Sequence, residues 1–171
     1  MYMIFLGARA LHVLLGAIWL GTAVLMAFFL TPAVEEAGPE GGKVMMGIAR
    51  RGMLTFIASV AGTTVLTGLW LYWHFTDGLD ASIRESMGGR VFGLGGLLGL
   101  AAAVVGGSVV SRNVKKLMEL GAQAAAATDA GARSQLMQQA AAARKRVATG
   151  GRIVAILLMV TIVLMALGHY V

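Results

Sequence analysis

His12 stands inside an apolar run, in "RALHVLLGAIWLGTA", residues 9–23. A neutral imidazole in hydrocarbon needs a hydrogen-bond partner or a metal, so an intramembrane histidine is a functional candidate by default. On a helix His12, Gly16, Trp19 and Ala23 fall at i, i+4, i+7 and i+11 and share one face. That face presents a ligand, a flat gap and an aromatic wall. It suits a haem standing edge-on in a helical bundle, with the imidazole on the iron and the glycine leaving room for the macrocycle. Arg9, about one turn away, is placed to pair with a propionate. A plainer role fits the same residues: an imidazole bonded to a Ser or Thr of a neighbouring helix, a glycine for close packing, a tryptophan as anchor. Spacing alone leaves both open.

The other two histidines are weaker candidates. His74 lies beside Trp70, Tyr72 and Trp73 and reads as part of an aromatic belt; His169, next to Tyr170, reads the same way. Either could join His12 as a second metal ligand only if helix tilt or offset closes a depth gap. Met165, one turn deeper than His169, is an alternative sixth ligand. "GLGGLLG" at 93–99 has the look of a nucleotide-binding loop, but it follows no strand and lies in an apolar span, so Gly89, Gly93, Gly95 and Gly99 read as helix-packing positions. The 11 methionines show no repeated short spacing and define no copper site. With no cysteine, thiolate chemistry and disulfides are excluded.

These residues need elements to carry them, and composition says which. A chain of 171 residues that is 58% hydrophobic and 13% charged has the profile of an integral membrane protein. Four stretches are long and apolar enough to cross a bilayer, residues 4–30, 52–75, 91–111 and 152–171. None of them holds an Asp or Glu, which argues against a carboxylate proton relay. The first run is too long for a signal core and is read as a retained helix.

The net charge of +6 belongs to helix ends rather than to nucleic-acid binding. Lys43, Arg50 and Arg51 in the first connection, with Arg112, Lys115, Lys116, Arg133, Arg144, Lys145, Arg146 and Arg152 in the third, fall on one side; Arg9, Arg84 and Arg90 fall on the other. The positive-inside rule then puts both connections in the cytoplasm of a bacterial-type inner membrane and both termini on the non-cytoplasmic side. "TPAVEEAGPEGGK" holds both prolines and reads as a loop after a helix stop. The third connection is rich in helix formers and predicts a helical hairpin over 112–150, turning near Thr128 to Gly131 with Asp129 as cap of the returning arm. Val114, Leu117, Met118 and Gly121 form the stripe expected to meet Leu136, Ala140 and Ala143. The fold class is therefore all-α: a four-helix membrane bundle in one domain, with helices three and four extended into a cytoplasmic hairpin.

At "ARALHVLLGAIWLGTAVLMAFFLTPAV" and "KVMMGIARRGMLTFIASVAGTTVLTGLWLYW" the chain resembles the superfamily of small membrane proteins that includes the copper-resistance protein D-like proteins and the HemJ-type protoporphyrinogen oxidases. The likeness covers residues 8–73 and rests on Ala-Leu-His with a Trp seven residues on, and on an arginine before Thr-x-Leu-Thr-Gly-Leu. It implies a bundle of four or more helices and, in the HemJ branch, a haem b held by the histidine matching His12, with Arg50 or Arg51 matching the helix-two arginine. "TAVLMAFFLTP" stands where that branch has Tyr-Leu-Pro-Arg, and "RKRVATGGRIV" lacks its Asn-Glu segment.

The leading expectation is a haem b protein in electron transfer or porphyrin redox chemistry, an oxidoreductase of HemJ-like type being one form of it, with a redox partner. A cofactor-free accessory subunit of a membrane complex and a metal or solute permease component are the alternatives. The many glycines suit a homodimer.

Overall fold

A computed structural model describes residues 2–171, all in helices and short turns. The helices are α1 (Tyr2–Glu36), α2 (Gly38–Arg50), α3 (Met53–Phe75), α4 (Ala81–Arg84), α5 (Met87–Ala126) and α6 (Ala130–Leu167). Four of them, α1, α3, α5 and α6, are long and apolar enough to cross a membrane. Their outward side chains, Leu14, Leu66, Leu97 and Val163 among them, are exposed as a lipid-facing surface requires. Within the bundle α1 packs along α3 and α5 along α6, and the two pairs meet where α3 touches α5 and α1 touches α6. The bundle therefore has two ends: one carries α4, the other the α5–α6 hairpin.

The first connection differs from the expected loop. α1 runs on through Pro32 to Glu36, and α2 starts at once with Pro39 in its first turn, where a missing N–H costs nothing. Neither proline stops its helical segment here. Residues Leu25–Leu30 form a π-helical turn just ahead of Pro32, and its wider loop absorbs the ring that would otherwise press on the carbonyl four residues back. A second π-helical turn, Gly106–Ser111, interrupts α5 where the Ser108 hydroxyl donates to the Val104 carbonyl at 2.5 Å and Asn113 Nδ2 donates to Val109 O at 2.7 Å. Both turns pack against α6 near Gly150 and Gly151. A Cβ on Gly150 would stand 3.1 Å from the Val109 and Val110 side chains. Gly52, at φ +83°, makes the reversal from α2 to α3.

The helical hairpin forms as expected, and Asp129 caps α6 by accepting from the Ala132 amide at 2.6 Å. Val114, Leu117 and Met118 of the expected stripe are half-buried, but its last position differs: Leu120 is buried and Gly121 is exposed. Leu136, half-buried, and Ala140 and Ala143, buried, complete the seam. α5 begins at Met87 rather than 91, since the Ser86 side chain accepts from the Gly89 amide at 3.1 Å and caps it there. α6 ends at Leu167, so His169 lies in the turn beyond the helix.

The core sits toward the hairpin end, where Trp19, Val60, Ala102, Val154 and Leu158 form one buried cluster drawn from all four long helices. Toward the α4 end the same helices enclose a cavity.

Candidate functional site

His12 is placed by α3. Its Nδ1 donates to the backbone carbonyl of Thr64 at 2.9 Å and lies 3.2 Å from Thr67 Oγ1, whose own hydroxyl donates to Thr63 O at 2.7 Å. The imidazole lies flat on Gly68: a Cβ there would come within 2.7 Å of His12 Cε1, so no other residue leaves the ring where it is. A carbonyl only accepts, so the neutral ring carries its proton on Nδ1 and keeps the Nε2 lone pair. Among the described residues Nε2 has no hydrogen-bond partner and is not sealed in by protein. The bond that a packing histidine needs is present, and one nitrogen stays uncommitted.

His12 lines a cavity of about 530 Å³ between the two helix pairs. Its size falls within the range of small-molecule and cofactor sites, and its walls are mostly apolar. From α1 come His12, Gly16 and Trp19, three of the four residues whose spacing put them on one face; Ala23, the fourth, does not line the cavity. Four glycines of α5, Gly93, Gly95, Gly96 and Gly99, make the opposite wall, and Thr161 and Met165 of α6 close the side. The α5 glycines also pack helices, as their spacing predicts. A Cβ on Gly95 would lie 3.0 Å from Met165 Cε, and one on Gly93 would lie 2.9 Å from the Tyr72 hydroxyl, which donates to Gly89 O at 3.2 Å.

At the α4 end Arg9 Nη2 donates to His169 Nε2 at 2.7 Å, and both residues line the cavity mouth. Phe92 stands edge-on to His169, with ring centroids 5.3 Å apart. His74 goes elsewhere: it stacks on Trp70 at 5.5 Å, with Phe5 at 5.2 Å, and does not line the cavity. This is the aromatic belt its neighbours suggested. Arg50 and Arg51 are also not brought to the site, because they precede α3 by a dozen residues or more from Thr64, a rise of roughly 20 Å toward the hairpin end. Among the described residues no three His, Asp or Glu side chains gather to hold a metal ion.

Sequence reasoning missed Thr64, Thr67, Gly68 and the Arg9–His169 bond. A signal for the first three was present in "TTVLTG", where hydroxyls recur every three to four residues in an apolar span and a glycine follows. The chain matches no family profile, no curated protein and no solved structure.

Proposed function

We propose that the chain is a multi-pass membrane protein that holds haem b through His12 Nε2 and serves electron transfer or porphyrin redox chemistry with a redox partner. The observation that carries this reading is the state of His12, oriented through Nδ1 by a backbone carbonyl on the wall of an apolar cavity. Metal-binding imidazoles are fixed in that manner, with the second nitrogen donating to a carbonyl that sets tautomer and ring angle.

The residues divide the remaining work. Gly16 and Gly68 hold side chains away from the imidazole and the space beside it. Trp19 closes the cavity toward the buried core and the α5 glycines give a flat wall. Arg9 supplies the positive charge that a propionate needs, and its guanidinium has N–H donors to spare beyond the one it gives His169. Bound haem would supply one-electron chemistry, which the apolar walls shield from water.

The excess of basic residues at the hairpin end supports, by the positive-inside rule, a bacterial-type inner-membrane topology with that end in the cytoplasm and both termini on the other side. The likeness of residues 8–73 to the copper-resistance protein D-like and HemJ-type proteins supports the same reading. The test is a reduced-minus-oxidised spectrum of the chain purified in mild detergent from haem-replete cells. Sharp reduced α and β bands that His12→Ala abolishes are expected; a flat spectrum would overturn the assignment and favour a cofactor-free accessory subunit.

A further inference from the structure

We propose that Met165 is the second axial ligand, facing His12 across the cavity; this rests on the haem reading above and fixes what that reading leaves open. The argument starts from the register of α1 against α6, which run antiparallel. At the α4 end they are tied by the Arg9–His169 hydrogen bond of 2.7 Å. Toward the hairpin end they meet where a Cβ on Gly151 would lie 3.9 Å from Ala27 Cβ. Arg9 to Ala27 and Gly151 to His169 are the same count of residues, eighteen, so the two helices run in register to within about a turn between these ties.

Between them Trp19 and Leu158 belong to one buried cluster. His12 lies seven residues from Trp19 toward the α4 end, and Met165 lies seven from Leu158 in the same direction. Seven residues are about 10 Å of rise and two turns less about 20°. His12 and Met165 are therefore carried to within about a turn of one another in depth and keep the inward face of their partners, and both line the cavity.

The rival ligands are committed elsewhere. His169 spends its Nε2 on Arg9 and sits beyond the end of α6, His74 stacks outside the cavity, and the Tyr72 hydroxyl donates to Gly89 O. Among the described residues no hydrogen bond engages the Met165 sulfur. Gly95 gives the thioether its room, with a would-be Cβ 3.0 Å from its methyl. A thioether is a soft ligand, and paired with imidazole it raises the haem potential.

The experiment compares the full-length wild type with Met165→Leu, Met165→His and His169→Ala, each purified in detergent from haem-replete cells. Leu replaces Met at nearly constant volume, so the fold should survive. The ferric wild type should show the weak long-wavelength charge-transfer band of thioether ligation. Met165→Leu should lose that band and turn high-spin while keeping its haem, with a downward shift in midpoint potential. Met165→His should regain a low-spin spectrum at a lower potential than wild type, and His169→Ala should keep the thioether band. A haem-loaded wild type without the band, or a Met165→Leu spectrum identical to wild type, overturns Met165 as ligand and leaves His12 standing. A wild type without haem overturns the haem reading and this inference together.

Discussion

The two ends of the bundle use the same four helices and pack them differently. Near the hairpin end Trp19, Val60, Ala102, Val154 and Leu158 interdigitate, and Trp19 keeps only 5% of its surface exposed. Near the α4 end the facing positions are Gly16, Gly68, Gly95 and Gly99, and the helices enclose about 530 Å³ instead of closing. Glycine usually brings membrane helices together. Here side-chain volume at one end sets the helix separation, and glycines one or two turns further along cannot fill it. The cavity is thus a consequence of the core beside it, and the contact of His12 with Gly68 bounds it on the α3 side.

Changes in the packed half should cost most. Trp19→Ala is expected to lower stability by about 3 kcal/mol, measured by steric trapping or denaturant unfolding in detergent, because neither neighbour can collapse into the space. A cost near zero would mean that the core does not set the helix separation.

At the boundary, Gly68→Val should drive the imidazole off Thr64 and cost about 2 kcal/mol. Haem retention should fall at least tenfold, about 1.4 kcal/mol, in an absorbance titration. In the open half the sign should reverse. Gly16→Ala and Gly99→Ala would place Cβ atoms at 3.7 Å and 3.8 Å from threonine methyls, which is ordinary contact. Each should raise apoprotein stability by about 0.5 kcal/mol through helix propensity while narrowing the cavity. Destabilisation by either would show that the open half is as tightly fitted as the core.

The loop beside α4 gives the smallest effect. Hydrogen bonds from the Ser82 hydroxyl and the Ser82 and Ile83 amides hold the Asp80 carboxyl below its ordinary range. A folded-state value depressed in this way contributes stability above the ordinary carboxylate pKa and loses it as pH falls through the folded value. Amide exchange over residues 81–84, corrected for intrinsic rates, should therefore speed up on acidification, while exchange in α6 near Leu158 stays unchanged.

The regular parts of this arrangement were legible in the sequence. Four apolar stretches gave the long helices, the Asp129 cap gave the hairpin turn, and helical spacing put His12, Gly16 and Trp19 on one cavity wall. What escaped depends on contacts between helices. Nothing local says that Gly68 lies under His12, or that Arg9 reaches His169 across the whole length of the chain. The prolines misled because Pro39 falls in the first turn of α2, where proline starts a helix, and because the π-helical turn that admits Pro32 inside α1 has no spacing signature of its own.

The central claim is that His12 offers Nε2 to a haem in the open half. Titrating haem into purified apoprotein in detergent tests it most directly, with His12→Ala and His74→Ala in parallel. The account predicts a saturating Soret shift at one haem per chain for wild type and His74→Ala, lost in His12→Ala. Equal binding by wild type and His12→Ala, or loss on changing His74 alone, would contradict it.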